Sequence, residues 1–230
     1  MMRKMALLLA ALFALAAPAP AHAAAAGAPA FTVASRRVIP GAGATPLALV
    51  VEDGSPWNNL GALEAEVEKV SAIFARCGRP LGETQVLVVR WSADALARLR
   101  AEDPYKAPSQ VSVMDEPQLP AGRPLGFLFS AGSVASTAKA FNRSAVEALA
   151  RAHPEAARLK NTFWITADLE YRARPKDIAP SYSMAAHELA HILGDLPHID
   201  APYNLMSNAE VPGAKTGDLD DAQCAAIRKY

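Results

Sequence analysis

His187 and His191 stand four residues apart with Glu188 beside the first, in the run Ser183-Met-Ala-Ala-His-Glu-Leu-Ala-His-Ile-Leu-Gly-Asp-Leu-Pro-His198. Residues four apart share one face of an α-helix. The two imidazoles can therefore meet a common partner only if this stretch is helical. Glu188 then lies about 100° around the same helix, beside that partner but not in line with it. Gly194 can take the backbone conformation that ends a helix and turns the chain. Such a turn would let His198 swing back towards the first two histidines.

Three imidazoles in this pattern point to zinc. A catalytic zinc keeps three protein ligands and leaves one position open for water. The metal lowers the pKa of that water, and a nearby carboxylate takes its proton as attack on a carbonyl begins. His187, His191 and His198 are the candidate ligands of one catalytic Zn2+ ion, and Glu188 is the candidate base. The third ligand stays open on sequence alone, because Asp195 and Asp200 are carboxylates that can also bind zinc. Of the five histidines, His22 falls in an N-terminal leader. His153 stands apart and is expected to be a solvated helix residue. The competing account of the motif is a surface helix with two histidines and no metal, so context must decide.

That context includes Tyr203-Asn-Leu-Met206-Ser207. With it, the chain resembles the metzincin clan of zinc peptidases, whose pattern is HExxHxxGxxH followed by a turn with a Met beneath the metal. The match covers His187, Glu188, His191, Gly194 and Met206. It departs at Pro197, which occupies the clan's third-ligand position; His198 follows one residue later. The clan often carries a Tyr two residues after the turn Met, and here that residue is Asn208. The resemblance implies an α/β (α+β) domain: a twisted mixed sheet, an active-site helix beneath it and a later C-terminal helix. It also implies a polypeptide substrate laid against an exposed edge strand, for which Leu125 to Ser130 is the candidate.

The rest of the chain fits an exported protein. Arg3 and Lys4, the apolar stretch Met5–Ala17 and the A-x-A site Ala21-His-Ala23 read as a signal peptide over residues 1–23. Residues 24–230 are then one domain, with 24–30 a flexible lead-in. Lys+Arg and Asp+Glu both number 23, which argues against a nucleic-acid-binding surface. No later stretch could span a membrane. The expected location is secreted or periplasmic. Cys77 and Cys224 are the two cysteines, and in an oxidising compartment they suggest a disulfide. Arg76-Cys77-Gly78-Arg79-Pro80 is also similar to the cysteine switch of matrix-metalloprotease prosegments, in which a thiolate blocks the zinc.

Periodicity supplies the elements. Phe31–Val38 and Leu47–Val51 read as strands around a turn at Gly41–Gly43. Leu60, Leu63, Val67, Val70, Phe74 and Cys77 mark one face of a helix. Val86–Val89 is a buried strand, and Ser92 can cap a helix reaching Arg100. Residues 101–123 read mostly as loop, 125–130 as strand, 144–153 as helix and 161–171 as strand. Helices are expected from Pro180 and from Asp218. The function expected is a zinc-dependent metalloendopeptidase. The alternatives are a non-catalytic zinc-binding or protein-interaction module, or a zinc hydrolase acting on a non-protein amide.

Overall fold

The structure, a computed structural model, describes residues 28–101, 108–134, 138–166, 178–208, 211, 213 and 215–230. The signal peptide, the first part of the lead-in and residues 167–171 of the last expected strand lie outside them.

Alternating strand side chains need two covered faces before a whole strand can be apolar. That condition is met here. Strands β1 (Phe31–Ile39), β2 (Thr45–Glu52), β3 (Leu81–Trp91), β4 (Leu125–Phe129), β5 (Ala138–Phe141) and β6 (Thr162–Thr166) form one mixed sheet in the order β1-β3-β2-β4-β6-β5. The β2–β3, β2–β4 and β4–β6 pairs are parallel, whereas β1 and β5 run antiparallel to β3 and β6. Every residue of β4 and β6 is buried.

The pleat divides the core in two. Leu49, Val51, Val86, Val88, Leu128, Phe163 and Ile165 face one layer, with helices α1 (Leu60–Ala75), α5 (Met184–Gly194) and α6 (Asp221–Ile227). Ala48, Val50, Leu87, Val89, Phe127, Phe129 and Trp164 face the other. That side is covered by α2 (Ala93–Ala101), α3 (Pro108–Val113), α4 (Arg143–Ala150) and a 3-10 turn over Pro154–Leu159. Gly126 is a packing requirement: a Cβ there would stand 2.2 Å from Phe163 Cζ.

Helix α1 follows its expected stripe, with Leu63, Val67, Val70 and Phe74 buried. Leu60 is 43 % exposed because it opens the helix. Asn59 caps it by accepting from Ala62 N at 3.1 Å.

Several expectations need correction. Leu125–Phe129 is not an edge: β4 lies between β2 and β6, and its unbroken apolar run reflects cover on both faces. The edges are β1 and β5, and β5 had no sequence signal strong enough to be predicted. Within the mostly loop region 101–123 the structure adds α3, whose Val111 and Val113 are buried. The lead-in is tied down at its end: Ala30 is buried, donates to the Glu116 carboxylate and accepts from Ser92 N. The last two helices begin three residues later than expected or more, at Met184 and Asp221, where Ser183 and Asp220 provide capping side chains.

Candidate metal centre

Helix α5 is anchored at its start. Ser183 Oγ accepts from Ala186 N at 2.9 Å and donates to Glu66 Oε1 of α1 at 2.5 Å. Lys69 lies 3.3 Å from the same carboxylate and donates to Tyr182 O. The helix is buried nearly all round, and its mixture of Ala, Leu and Ile packs against α1, α6, β5 and β6.

Its far end turns as the His198 geometry demands, but by a different residue than expected. Asp195, not Gly194, takes the left-handed conformation, at φ 51° and ψ 34°. Asp tolerates this region because its short side chain finds local polar partners. Here the carboxylate accepts from Ser144 N at 3.1 Å and Ser144 Oγ at 2.5 Å, at the start of α4. Gly194 is required for space: a Cβ would lie 2.7 Å from Leu196 Cγ.

His187, His191 and His198 converge. Each offers a ring nitrogen, and these atoms all lie within 4.8 Å of one another, so the three could hold a metal ion. His187 Nε2 and His191 Nε2 are 3.0 and 3.3 Å from His198 Nε2. A tetrahedral zinc with bonds of about 2.0–2.1 Å separates its ligand atoms by roughly 3.3–3.4 Å, so the spacing fits. The tautomers fit too. His187 Nδ1 donates to Leu205 O at 2.6 Å, and His191 Nδ1 donates to Leu196 O at 2.5 Å. Both Nε2 lone pairs are thereby directed at the centre. A proton on His198 Nε2 could satisfy one of these two contacts, whereas a cation could take a lone pair from each of the three rings.

The loop carrying His198 is held by the turn around Met206. Ile199 N donates to Met206 O, and Asn208 N donates to Ile199 O, both at 2.9 Å. Met206 itself is fully buried and its N–H donates to Asn204 Oδ1. Asn204 exchanges amide hydrogen bonds with Gln223 of α6. The Leu205 carbonyl that orients His187 is thus fixed by α6, which in turn is fastened to α1. Cys77 and Cys224 are disulfide-bonded with Cα atoms 4.8 Å apart, within the usual range. The bond leaves no free thiol at Cys77 to act as a zinc-blocking switch. Asp195 is engaged at α4. Asp200 faces Asn208 Nδ2 at 3.5 Å and is not part of the cluster. His153 is exposed at the start of the 3-10 turn.

Burial dominates the electrostatics. It holds the His187 imidazole down to about 3, helped by His191 and opposed by the Leu205 hydrogen bond. Burial also lowers His191, to about 4, and lowers His198 together with the charge of Lys215. Neutral imidazoles are what a metal needs. Burial raises the Glu188 carboxyl to about 8, opposed by Lys215 and by a hydrogen bond from the Ala140 backbone. A divalent cation would favour the carboxylate and reverse this shift.

Glu188, His191 and His198 open onto a cleft of roughly 330 Å³. It is also lined by Ala138, Lys139 and Ala140 of the edge strand β5. A larger cavity, roughly 450 Å³, lies behind the end of α5 between Arg143, Lys160 and Lys229 and reaches none of the three histidines. Sequence reasoning missed β5, Glu66 and Lys215. None of them has a spacing relation to the HExxH run, since only the tertiary fold brings them near it. Compared with protein-family models, curated proteins and solved structures, the chain gives no match.

Proposed function

We propose that the chain is an exported, zinc-dependent metalloendopeptidase of metzincin type. The observation that carries this reading is the convergence of three neutral imidazoles beside a buried glutamate at the floor of a cleft. A purely structural zinc site normally closes with four protein ligands. Three ligands and an adjacent carboxylate are the composition of a hydrolytic site.

When bound, zinc supplies Lewis-acid polarisation and makes water a nucleophile near neutral pH. The protein's own residues do the rest. His187, His191 and His198 hold the ion. Glu188 accepts a proton from the attacking water as the new C–O bond forms. It then delivers that proton to the departing amine nitrogen as the C–N bond breaks. Edge strand β5 is antiparallel to β6, and no further strand among the described residues pairs with its outer side. Its backbone can take an extended peptide as an added strand. The sheet, the HExxH helix and the later α6 are in keeping with the metzincin resemblance. Export is supported by the leader and by the disulfide, which suits an oxidising compartment. No helix among the described residues is long and apolar enough to cross a membrane.

The test is metal analysis of the purified protein with a chelator-reversible assay on casein. Glu188→Gln should keep its zinc and lose about 10²–10⁴-fold in turnover. Full activity in that variant would refute the mechanism. Release of products from cell-wall fragments but not from casein would move the substrate to a non-protein amide.

A further inference from the structure

Two of the three imidazoles depend on one turn. Leu205 O accepts from His187 Nδ1 at 2.6 Å, and the next carbonyl, Met206 O, accepts from Ile199 N beside His198. His191 is aimed separately, by Leu196 O at the end of its own helix. A displaced turn would therefore move His187 and His198 relative to His191. The turn is fixed by a buried pair of amides, Asn204 and Gln223, which are 8 % and 7 % exposed. Asn204 Nδ2 donates to Gln223 Oε1 at 3.0 Å, and Gln223 Nε2 donates back to Asn204 Oδ1 at 3.2 Å. Each oxygen takes a second bond from the backbone: Asn204 Oδ1 from Met206 N at 2.8 Å, and Gln223 Oε1 from Asp220 N at 2.9 Å. The bond to Met206 N matters most. That N–H and the Leu205 carbonyl belong to one peptide unit, which is planar. Holding its N–H on one side sets the direction of its carbonyl on the other, and that carbonyl is the one that meets His187. At its far end the pair stands on the first turn of α6, where the neighbouring Cys224 is bonded to Cys77. A fully satisfied buried polar network rigidifies its surroundings and specifies one arrangement.

We propose that Asn204 and Gln223 are positioning residues of the metal centre, holding the Leu205–Met206 peptide so that its carbonyl aims His187. Neither side chain touches the metal or the substrate. They act through one peptide plane, and what they set is the affinity of the three imidazoles for the ion. The inference rests on the metal-binding half of the peptidase reading and is indifferent to the substrate.

The experiment measures three quantities on the purified protein and its variants. They are Tm, zinc affinity by competition with a chromophoric chelator, and the absorption spectrum of the cobalt(II)-loaded form. Gln223→Ala and Asn204→Ala should each weaken zinc binding about tenfold, the lower end of the loss expected when a group that orients a ligand is removed. Both should also alter the cobalt spectrum. The double variant should lose little more than either single one, because side chains that work as a unit are not additive. If Gln223→Ala does not fold, Gln223→Met, which keeps the length of the side chain, carries the same comparison. Gln223→Glu keeps an oxygen for Asn204 Nδ2 and Asp220 N, and should recover part of the affinity that Gln223→Met lacks. Trp164→Ala, across the sheet, calibrates destabilisation alone and should keep the wild-type zinc affinity. A lower Tm with wild-type zinc affinity and cobalt spectrum in the Asn204 and Gln223 variants overturns the proposal. So does an equal loss of affinity in Trp164→Ala. A wild type that binds neither zinc nor cobalt overturns the metal-binding reading itself, and the proposal with it.

Discussion

The two faces of the sheet are equally buried and chemically opposite. On one, Phe127 stacks on Trp164 with ring centres 4.0 Å apart, Phe129 lies 5.8 Å from Trp164, and Trp91 lies 5.1 Å from Phe129. Among the described residues no charged side chain is buried there. The buried acidic and histidine residues among those described, Glu66, His187 and Glu188, all lie on α1 and α5, across the sheet. Burying a charge is costly unless partners compensate it. Each of these has such a partner: Ser183 and Lys69 for Glu66, Leu205 O for His187, and the Ala140 N–H and Lys215 for Glu188. One face thus supplies packing energy without chemistry. The other accepts a less favourable interior in exchange for a site whose electrostatics water does not screen.

The strongest challenge to this division is Trp164→Ala. It should cost about 3–5 kcal/mol by transfer and cavity terms, read as a fall in the denaturation midpoint. The folded fraction should still bind metal with unchanged stoichiometry. Loss of metal binding from molecules that remain folded would show that the faces are not separable.

Acid–base linkage sharpens the other side. In the metal-free protein the Glu188 carboxyl is raised to about 8 from an ordinary 4.5. Between those values the unfolded chain has released this proton and the folded chain still holds it. That contribution to stability is fully present below about pH 4.5 and declines as pH rises through 8. His187, lowered to about 3 from 6.5, acts oppositely: its contribution is present above 6.5 and is lost as pH falls towards 3. Glu188→Gln should therefore raise the Tm of the metal-free protein at pH 8 relative to wild type, and less so at pH 5. Thermal unfolding of the chelator-treated proteins at both pH values checks this; the same Tm difference at both would sink it. The smallest expected effect is that of Ser183→Ala. Loss of the α5 cap should cost about 1 kcal/mol, slightly more if Glu66 is left without its donor. Urea unfolding would measure it.

Legibility in the sequence followed the range of the interaction. The α1 stripe was readable because Leu63, Val67, Val70 and Phe74 recur within one helix. Val86–Val89 and Leu125–Phe129 were readable as strands because short apolar runs between turns have few other solutions. Their order is not readable from such runs, and the candidate edge at Leu125–Ser130 proves to be the interior strand β4. The true edge beside the cleft, Ala138-Lys-Ala-Phe141, is four residues long and takes its strand character from pairing with β6. Gly194 and Asp195 show the same limit: sequence located the helix end, and packing against Leu196 and Ile227 decided which residue turns.

The sequence by itself determined the helix-borne half of the centre, since a four-residue spacing on a 3.6-residue period fixes His187 and His191 on one face whatever surrounds them. It also named His198 as the nearest third imidazole. Only the tertiary structure decided that His198 completes the set and that Asp195 and Asp200 do not. It also brought Glu66, Ala140 and Lys215 to α5 from distant parts of the chain. The physical reason is that backbone hydrogen bonds to Ile199, Leu205 and Leu196, and the burial that sets each charge, arise from contacts between segments that no local pattern records.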